Sequence, residues 1–185
     1  MARQIHPSCW LMTDERMGGL LWPALEAAAK AGAGIVFRHH RTPTEQRVAL
    51  AREVSLFARR YDLVLAVSRD IALARHVGAD LVHNPEEPLE NLPFSRAVHD
   101  EAEAHAARAD GAALVFVSPV YPTRSHPGAA AIGEQEAARL AALAGLPAYA
   151  LGGVTEDKKE RLAGLGFDGW AAIDLWLGRA ERGRF

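Results

Sequence analysis

Ile35-Val36-Phe37-Arg38-His39 is a short, β-branched apolar run that stops abruptly in charge. Cys9-Trp10-Leu11-Met12-Thr13-Asp14 has the same design before it, and Leu63-Val64-Leu65-Ala66-Val67-Ser68, Leu81-Val82-His83 and Phe94-Ser95-Arg96-Ala97-Val98-His99 repeat it afterwards. Leu114-Val115-Phe116-Val117-Ser118, Ala148-Tyr149-Ala150-Leu151-Gly152-Gly153 and Trp170-Ala171-Ala172-Ile173-Asp174 bring the set to eight. Most are separated by Ala-rich segments of helical periodicity. Strand–helix alternation repeated eight times predicts an α/β fold, a compact (β/α)8 TIM barrel. Such barrels place their sites at the C-terminal strand ends, so the polar terminators are the first candidates for chemistry.

The chain has 185 residues, which makes residues 1–185 a single domain. Barrels of this kind typically need about 250 residues, so the helical layer must be trimmed. Pro85, Pro88 and Pro93 leave no room for a full helix between the fourth and fifth runs, and few residues follow Asp174. A hydrophobic fraction of 49% and a formal net charge of −2 describe an ordinary globular protein. The basic residues are interleaved with acids, which predicts no nucleic-acid partner. No apolar stretch approaches the ~20 residues of a membrane span, and no signal segment is evident, so no membrane association is expected. Cys9 is the single cysteine and has no partner for a disulfide. A cytoplasmic protein is the simplest reading, and a homo-oligomer stays open.

Local signals set the helices. The first runs from Gly19 or Leu20 to Lys30 and stops at Gly32; Thr42-Pro43 opens the second as N-cap and first helical residue. Ser68 is placed to cap a third, ended by Gly78. Asp100 caps Glu101–Ala109, Gly133 and Gly145 bracket Glu134–Ala144, and Thr155 starts another helix.

The richest loop follows the sixth run: Ser118-Pro119-Val120-Tyr121-Pro122-Thr123-Arg124-Ser125-His126-Pro127-Gly128. Its hydroxyls, guanidinium and imidazole are suited to holding phosphate or carboxylate oxygens. Gly152-Gly153 allows close backbone approach to a ligand after the seventh run. Arg38 and His39 cannot both face the barrel mouth while the strand continues, because neighbouring side chains alternate. Arg38 can grip an anion, and His40 can serve as acid or base. His83 and His99 also end strands; a hydrogen-bonded imidazole closing the barrel top is the simpler reading of either. The histidines form no metal motif, and no spacing singles out a pair among Asp14, Glu86, Glu87 and Asp174, so no metal ligand is assigned. Trp22 and Trp176 read as packing residues, and neither Ser68 nor Ser118 has a nucleophile-elbow context.

Together these motifs resemble, in order and over nearly the whole chain, the thiamine phosphate synthase superfamily, which also contains the thiazole tautomerases. Cys9-Trp-Leu-Met-Thr-Asp14 is similar to that family's opening Leu-Tyr-Leu-Ile-Thr-Asp. Ile35-Val-Phe-Arg-His-His40 sits where the family reads Gln-Leu-Arg-Glu-Lys. Asp70-Ile-Ala-Leu-Ala-Arg-His-Val-Gly-Ala-Asp-Leu-Val-His83 resembles Asp-Leu-Ala-Leu followed by Gly-Ala-Asp-Gly-Val-His. Ser118–Gly128 resembles Gly-Pro-Ile-Tyr-Pro-Thr-x-Thr-Lys-Pro-Gly, and Tyr149-Ala-Leu-Gly-Gly-Val-Thr155 resembles Ala-Ile-Gly-Gly-Ile-Thr.

The resemblance implies a barrel that joins hydroxymethylpyrimidine diphosphate to a thiazole phosphate in thiamine biosynthesis, with Mg²⁺ assisting departure of the diphosphate. Carried over by position, Arg38, Thr123, Arg124, Ser125 and His126 would bind the anion. Gly152, Gly153 and Ile173 would offer backbone donors, beside Asp174. His40, His99 or His126 would supply acid–base chemistry. The partner would be a small anionic or phosphorylated heterocycle.

The chain also departs from the family. Val36 and His40 replace the second strand's Gln and Lys, and Ala66-Val67 replaces the third strand's Asn-Asp, whose Asp is a Mg²⁺ ligand. Pro85-Glu86-Glu87-Pro88 replaces the motif holding the second ligand, leaving only a shifted Glu87, so the usual Mg²⁺ positions are not retained. Ala97 and Asp174 stand at family serines, and His126 stands at a diphosphate-binding lysine. These departures weaken ordinary synthase chemistry; a synthase-like transferase still leads, ahead of a metal-independent thiazole tautomerase-like isomerase and of a non-catalytic binder or sensor of thiamine-related phosphates. The tautomerase histidine would fall near Pro119.

Overall fold

The computed structural model describes residues 6–89, 91–124 and 130–183. Eight parallel strands close into a barrel in strict chain order. They are β1 (Cys9–Met12), β2 (Gly34–Phe37), β3 (Leu65–Ser68), β4 (Leu81–His83), β5 (Phe94–Val98), β6 (Leu114–Val117), β7 (Ala148–Leu151) and β8 (Gly169–Ala172). β8 returns to β1 through the pairs Cys9–Trp170, Trp10–Ala171 and Leu11–Ala172. The compact (β/α)8 barrel expected from the eight runs is what forms.

Among the described residues seven α-helices surround it: α1 (Leu21–Lys30), α2 (Thr44–Arg60), α3 (Ile71–Val77), α4 (Glu101–Ala109), α5 (Glu134–Ala144), α6 (Lys159–Gly164) and α7 (Asp174–Arg182). Among the described residues no helix joins β4 to β5, as the three prolines dictate. Arg96 braces that gap: its guanidinium donates to the carbonyl of Pro85 and lies 2.7 Å from Asp110 Oδ2.

Capping residues explain several boundaries. Asp70 and Asp100 each accept from a backbone N–H three residues on, at 2.9 Å, and Gly78 and Gly145 close α3 and α5 in the left-handed conformation. Two expected starts move. Asp70 rather than Ser68 caps α3, because Ser68 still belongs to β3 and Asp70 is the residue that accepts from the Leu73 N–H. Pro43 rather than Thr42 is the N-cap of α2; its carbonyl accepts the first helical bond from Arg47 at 2.8 Å. After Thr155 the chain first makes a 3-10 turn, Glu156–Lys158, before α6 begins.

Aromatic rings fill the barrel. Trp10 meets Phe116 and Tyr149 edge-on, with centroids 5.6 and 5.9 Å away. Gly34 is paired with Trp10 across β1 and β2, and a Cβ there would overlap the indole. The register thus makes a large residue and an absent side chain neighbours on one inward layer. Trp176 on α7 is wholly buried and donates its indole N–H to the carbonyl of Trp10 at 3.0 Å. Trp22 is partly exposed and tilted against Phe57.

Candidate active site

Alternation along β2 sorts its polar end. Val36 faces the barrel interior, so Arg38 faces the mouth and His39 turns the other way. His39 adopts a left-handed φ of 42°, stacks on Phe37 and is buried. Thr13 Oγ1 accepts from the Arg38 N–H at 3.0 Å and lies 3.0 Å from His39 Nδ1. Burial, the largest cause, pushes the His39 pKa down. One hydroxyl therefore fixes which way two successive residues point.

An open cavity of about 750 Å³ occupies the C-terminal mouth. Arg38, His99, Ser118, Thr123, Gly152, Gly153, Ile173 and Asp174 supply its polar lining, with Pro119, Leu151, Val154 and Ala172 as apolar wall. Seven sequence-predicted substrate or acid–base positions therefore converge there. Arg124 is exposed and reaches the rim through Asp174 rather than lining the cavity. His40 is exposed beside Arg38, Arg47 and Arg69; desolvation first, and then those cations, lower its pKa. Ser125 and His126 lie outside the described residues.

Charges alternate around the rim. Asp14 Oδ1 lies 3.1 Å from Arg16 Nε, and Asp14 Oδ2 lies 3.7 Å from an Arg38 amino nitrogen. Asp174 takes Arg124 Nε at 3.2 Å and a more distant Arg16 contact at 3.9 Å. Arg16 carries no signal in the linear pattern. It reaches the mouth because Asp14 starts a 3-10 turn, Glu15–Leu20, by accepting from the Arg16 N–H at 3.1 Å. On the opposite rim Glu103 Oε2 holds His99 Nδ1 at 2.8 Å and also accepts from the His99 backbone N–H at 2.7 Å. That leaves the other ring nitrogen, Nε2, for a ligand.

His83 is different. It is buried against Phe116, with Nδ1 3.0 Å from Ser95 Oγ. Burial, followed by the fields of Arg38, His40, Arg69 and His99, lowers its pKa to about 3. It is a neutral hydrogen-bonded imidazole of the barrel top, as the sequence suggested.

The glycine pair serves packing as well as access. Both residues have positive φ, 95° at Gly152 and 62° at Gly153. A Cβ at Gly152 would lie 2.9 Å from Pro119 Cα, and one at Gly153 would overlap the carbonyl of Pro122. The Ser118–Pro119 bond is cis, and the loop it begins is held to β7 by Val120 N–H to Leu151 O at 2.9 Å and Tyr121 N–H to Gly152 O at 3.1 Å. Gly153→Ala is expected to displace this loop and cost about 2 kcal/mol, from overpacking combined with an unfavourable φ. Equilibrium urea unfolding measures it; an unchanged midpoint would show that the loop yields freely.

The Mg²⁺ that the family resemblance implies finds a poor donor set. Among the described residues no three His, Cys, Asp or Glu side chains converge. Asp14 and Asp174 already face guanidinium groups, and the end of β3 carries buried Val67 where an acid ligand would be needed. Arg69 acts on Arg38 as a like charge, so positive field is already present there. These residues do not fit a hard divalent cation.

Known proteins share this architecture. The profile of the TMP-TENI family, thiamine monophosphate synthase, matches residues 9–175. The thiamine biosynthesis bifunctional protein ThiM/ThiE of Symbiobacterium thermophilum is 32% identical over 171 residues, 86% of this chain and 36% of that protein. The thiamine-phosphate synthase of Pyrococcus furiosus is 26% identical over 181 residues, covering 93% of this chain and 87% of that one. A solved structure of thiamine phosphate pyrophosphorylase from Pyrococcus furiosus superposes with a TM-score of 0.80 at 22% identity, covering 98% of each chain, which supports the fold. With the profile running from the first strand of the barrel into the helix that follows the last, the chain belongs to the thiamine monophosphate synthase family.

Proposed function

We propose that the chain is a thiamine-phosphate-synthase-like transferase, joining hydroxymethylpyrimidine diphosphate to a thiazole in the mouth cavity. The observation that carries this reading is the coincidence of one cavity with Arg38, Thr123, Gly152, Gly153 and Ile173, the positions the family resemblance assigns to substrate. The carbon–oxygen bond to the diphosphate breaks, and its electron pair leaves with the diphosphate. The thiazole ring nitrogen donates the pair that forms the new carbon–nitrogen bond, and the product carries the positive charge on the thiazolium.

The protein's task is electrostatic. Negative charge gathers on the departing diphosphate and positive charge on the pyrimidine carbon, so fixed donors aimed at the diphosphate lower the barrier. Arg38 is the cavity's cation; burial lowers its pKa and Asp14 raises it, yet a guanidinium stays charged. His99, oriented by Glu103, presents Nε2 to the same cavity. Ser118 and Thr123 offer hydroxyls to the bound heterocycle.

Purified protein supplied with Mg²⁺, the pyrimidine diphosphate and either the thiazole alcohol or its phosphate ester is expected to release diphosphate and form the coupled thiazolium. Arg38→Ala should slow this about tenfold through loss of a charge-assisted contact, without a change in melting temperature, since Arg16 still pairs with Asp14. Product from neither acceptor, under conditions where an authentic synthase turns over, would defeat the reading.

A further inference from the structure

The carboxylate of Asp174 stands inside the cavity, at the first residue of α7, where it is about one-third exposed and open to a ligand. Its two oxygens face Arg124 and Arg16, and Arg16 is shared in turn with Asp14, which also holds Arg38. Three guanidinium groups are thus distributed over two carboxylates before any ligand arrives. The positive end of the α7 dipole is likewise met by the protein's own carboxylate.

A phosphate monoester brought to this end of the cavity meets an acceptor with an acceptor. An ionised carboxylate has lone pairs and no proton to give, and the same holds for a phosphate dianion. Like charges that close repel; the nearby side-chain donors, Arg124 and Arg16, are already engaged by Asp174 itself, and the wall of Leu151, Val154 and Ala172 supplies no other. A neutral hydroxyl reverses every sign: it donates to Asp174 and leaves the rim ion pairs intact.

We propose that Asp174 is a specificity-determining residue that selects a heterocycle whose arm ends in a neutral hydroxyl over the corresponding phosphate ester. This rests on the transferase reading above and narrows its acceptor from a phosphorylated thiazole to the thiazole alcohol. The role of Asp174 is recognition; it takes no part in the bond exchange.

Calorimetric titration of the full chain with the thiazole alcohol and with its phosphate ester tests the assignment directly. The wild-type protein should bind the alcohol at least tenfold more tightly. Asp174→Asn keeps the shape, suits a helix N-terminus and removes the charge; it should tighten the phosphate ester about tenfold or more and weaken the alcohol, reversing the order. Asp174→Ser gives a second variant of the same sign, and circular dichroism verifies that both fold. Preference of the wild-type protein for the phosphate ester, or an unchanged preference in both variants, would overturn the selectivity while leaving the transferase reading standing. Absence of binding by both ligands would remove the two together.

Discussion

Trp10→Ala is expected to remove about 3–5 kcal/mol of stability, the largest single effect in this barrel. The indole is fully buried, and its edge-on contacts with Phe116 and Tyr149 tie β1 to the opposite wall through β6 and β7. The space cannot collapse easily. Gly34 contributes no side chain next to it, and closed strands cannot move inward without losing their ladders. Trp10→Phe gives the informative comparison. It keeps a ring in the layer and deletes the indole N–H. Its loss should be less than half that of the alanine variant. Urea unfolding monitored by circular dichroism reads both, and a Trp10→Ala midpoint close to that of the wild type would refute the packing account.

Acid is expected to weaken the fold through His83. The folded pKa is about 3, against 6.5 for an ordinary histidine, so between those values the unfolded chain binds the extra proton. Stability contributed by this neutral imidazole is complete above pH 6.5 and is lost as the pH falls toward 3. Because the unfolded histidine is half protonated at pH 6.5 and the slope then approaches about 1.4 kcal/mol per unit, the loss from pH 6.5 to 4.5 is about 2 kcal/mol. His83→Asn retains a side chain able to bond Ser95 and cannot titrate. Its unfolding free energy should therefore be flatter than that of the wild type by that amount over the same interval. Parallel pH profiles for the two proteins would show that His83 charges freely in the folded state.

These two positions also show what was readable in advance. His83 ends a strand, and a bonded imidazole at the barrel top was predictable from that placement alone. Its partner Ser95 lies on the adjoining strand, in register across β4 and β5. Trp10 was legible as a strand residue, whereas its fit to Gly34 was not, since nothing local in either sequence refers to the other. Arg16 was missed for a related reason. It lies beyond the polar end of its strand, and only the turn nucleated by Asp14 brings it back to the rim.

Strand existence, the Asp100 cap and the opposed directions of Arg38 and His39 are short-range properties. They follow from a two-residue side-chain period, from capping chemistry and from proline exclusion, and the chain alone determined them. The rim of alternating charge is long-range. Arg16 meets Asp174 because β1 closes against β8, bringing residues from opposite ends of the chain to one edge. A carboxylate at the end of β8 could have pointed to solvent or into the cavity. Only closure of the barrel, which sets the tilt of β8 and the start of α7, decided that it lines the site.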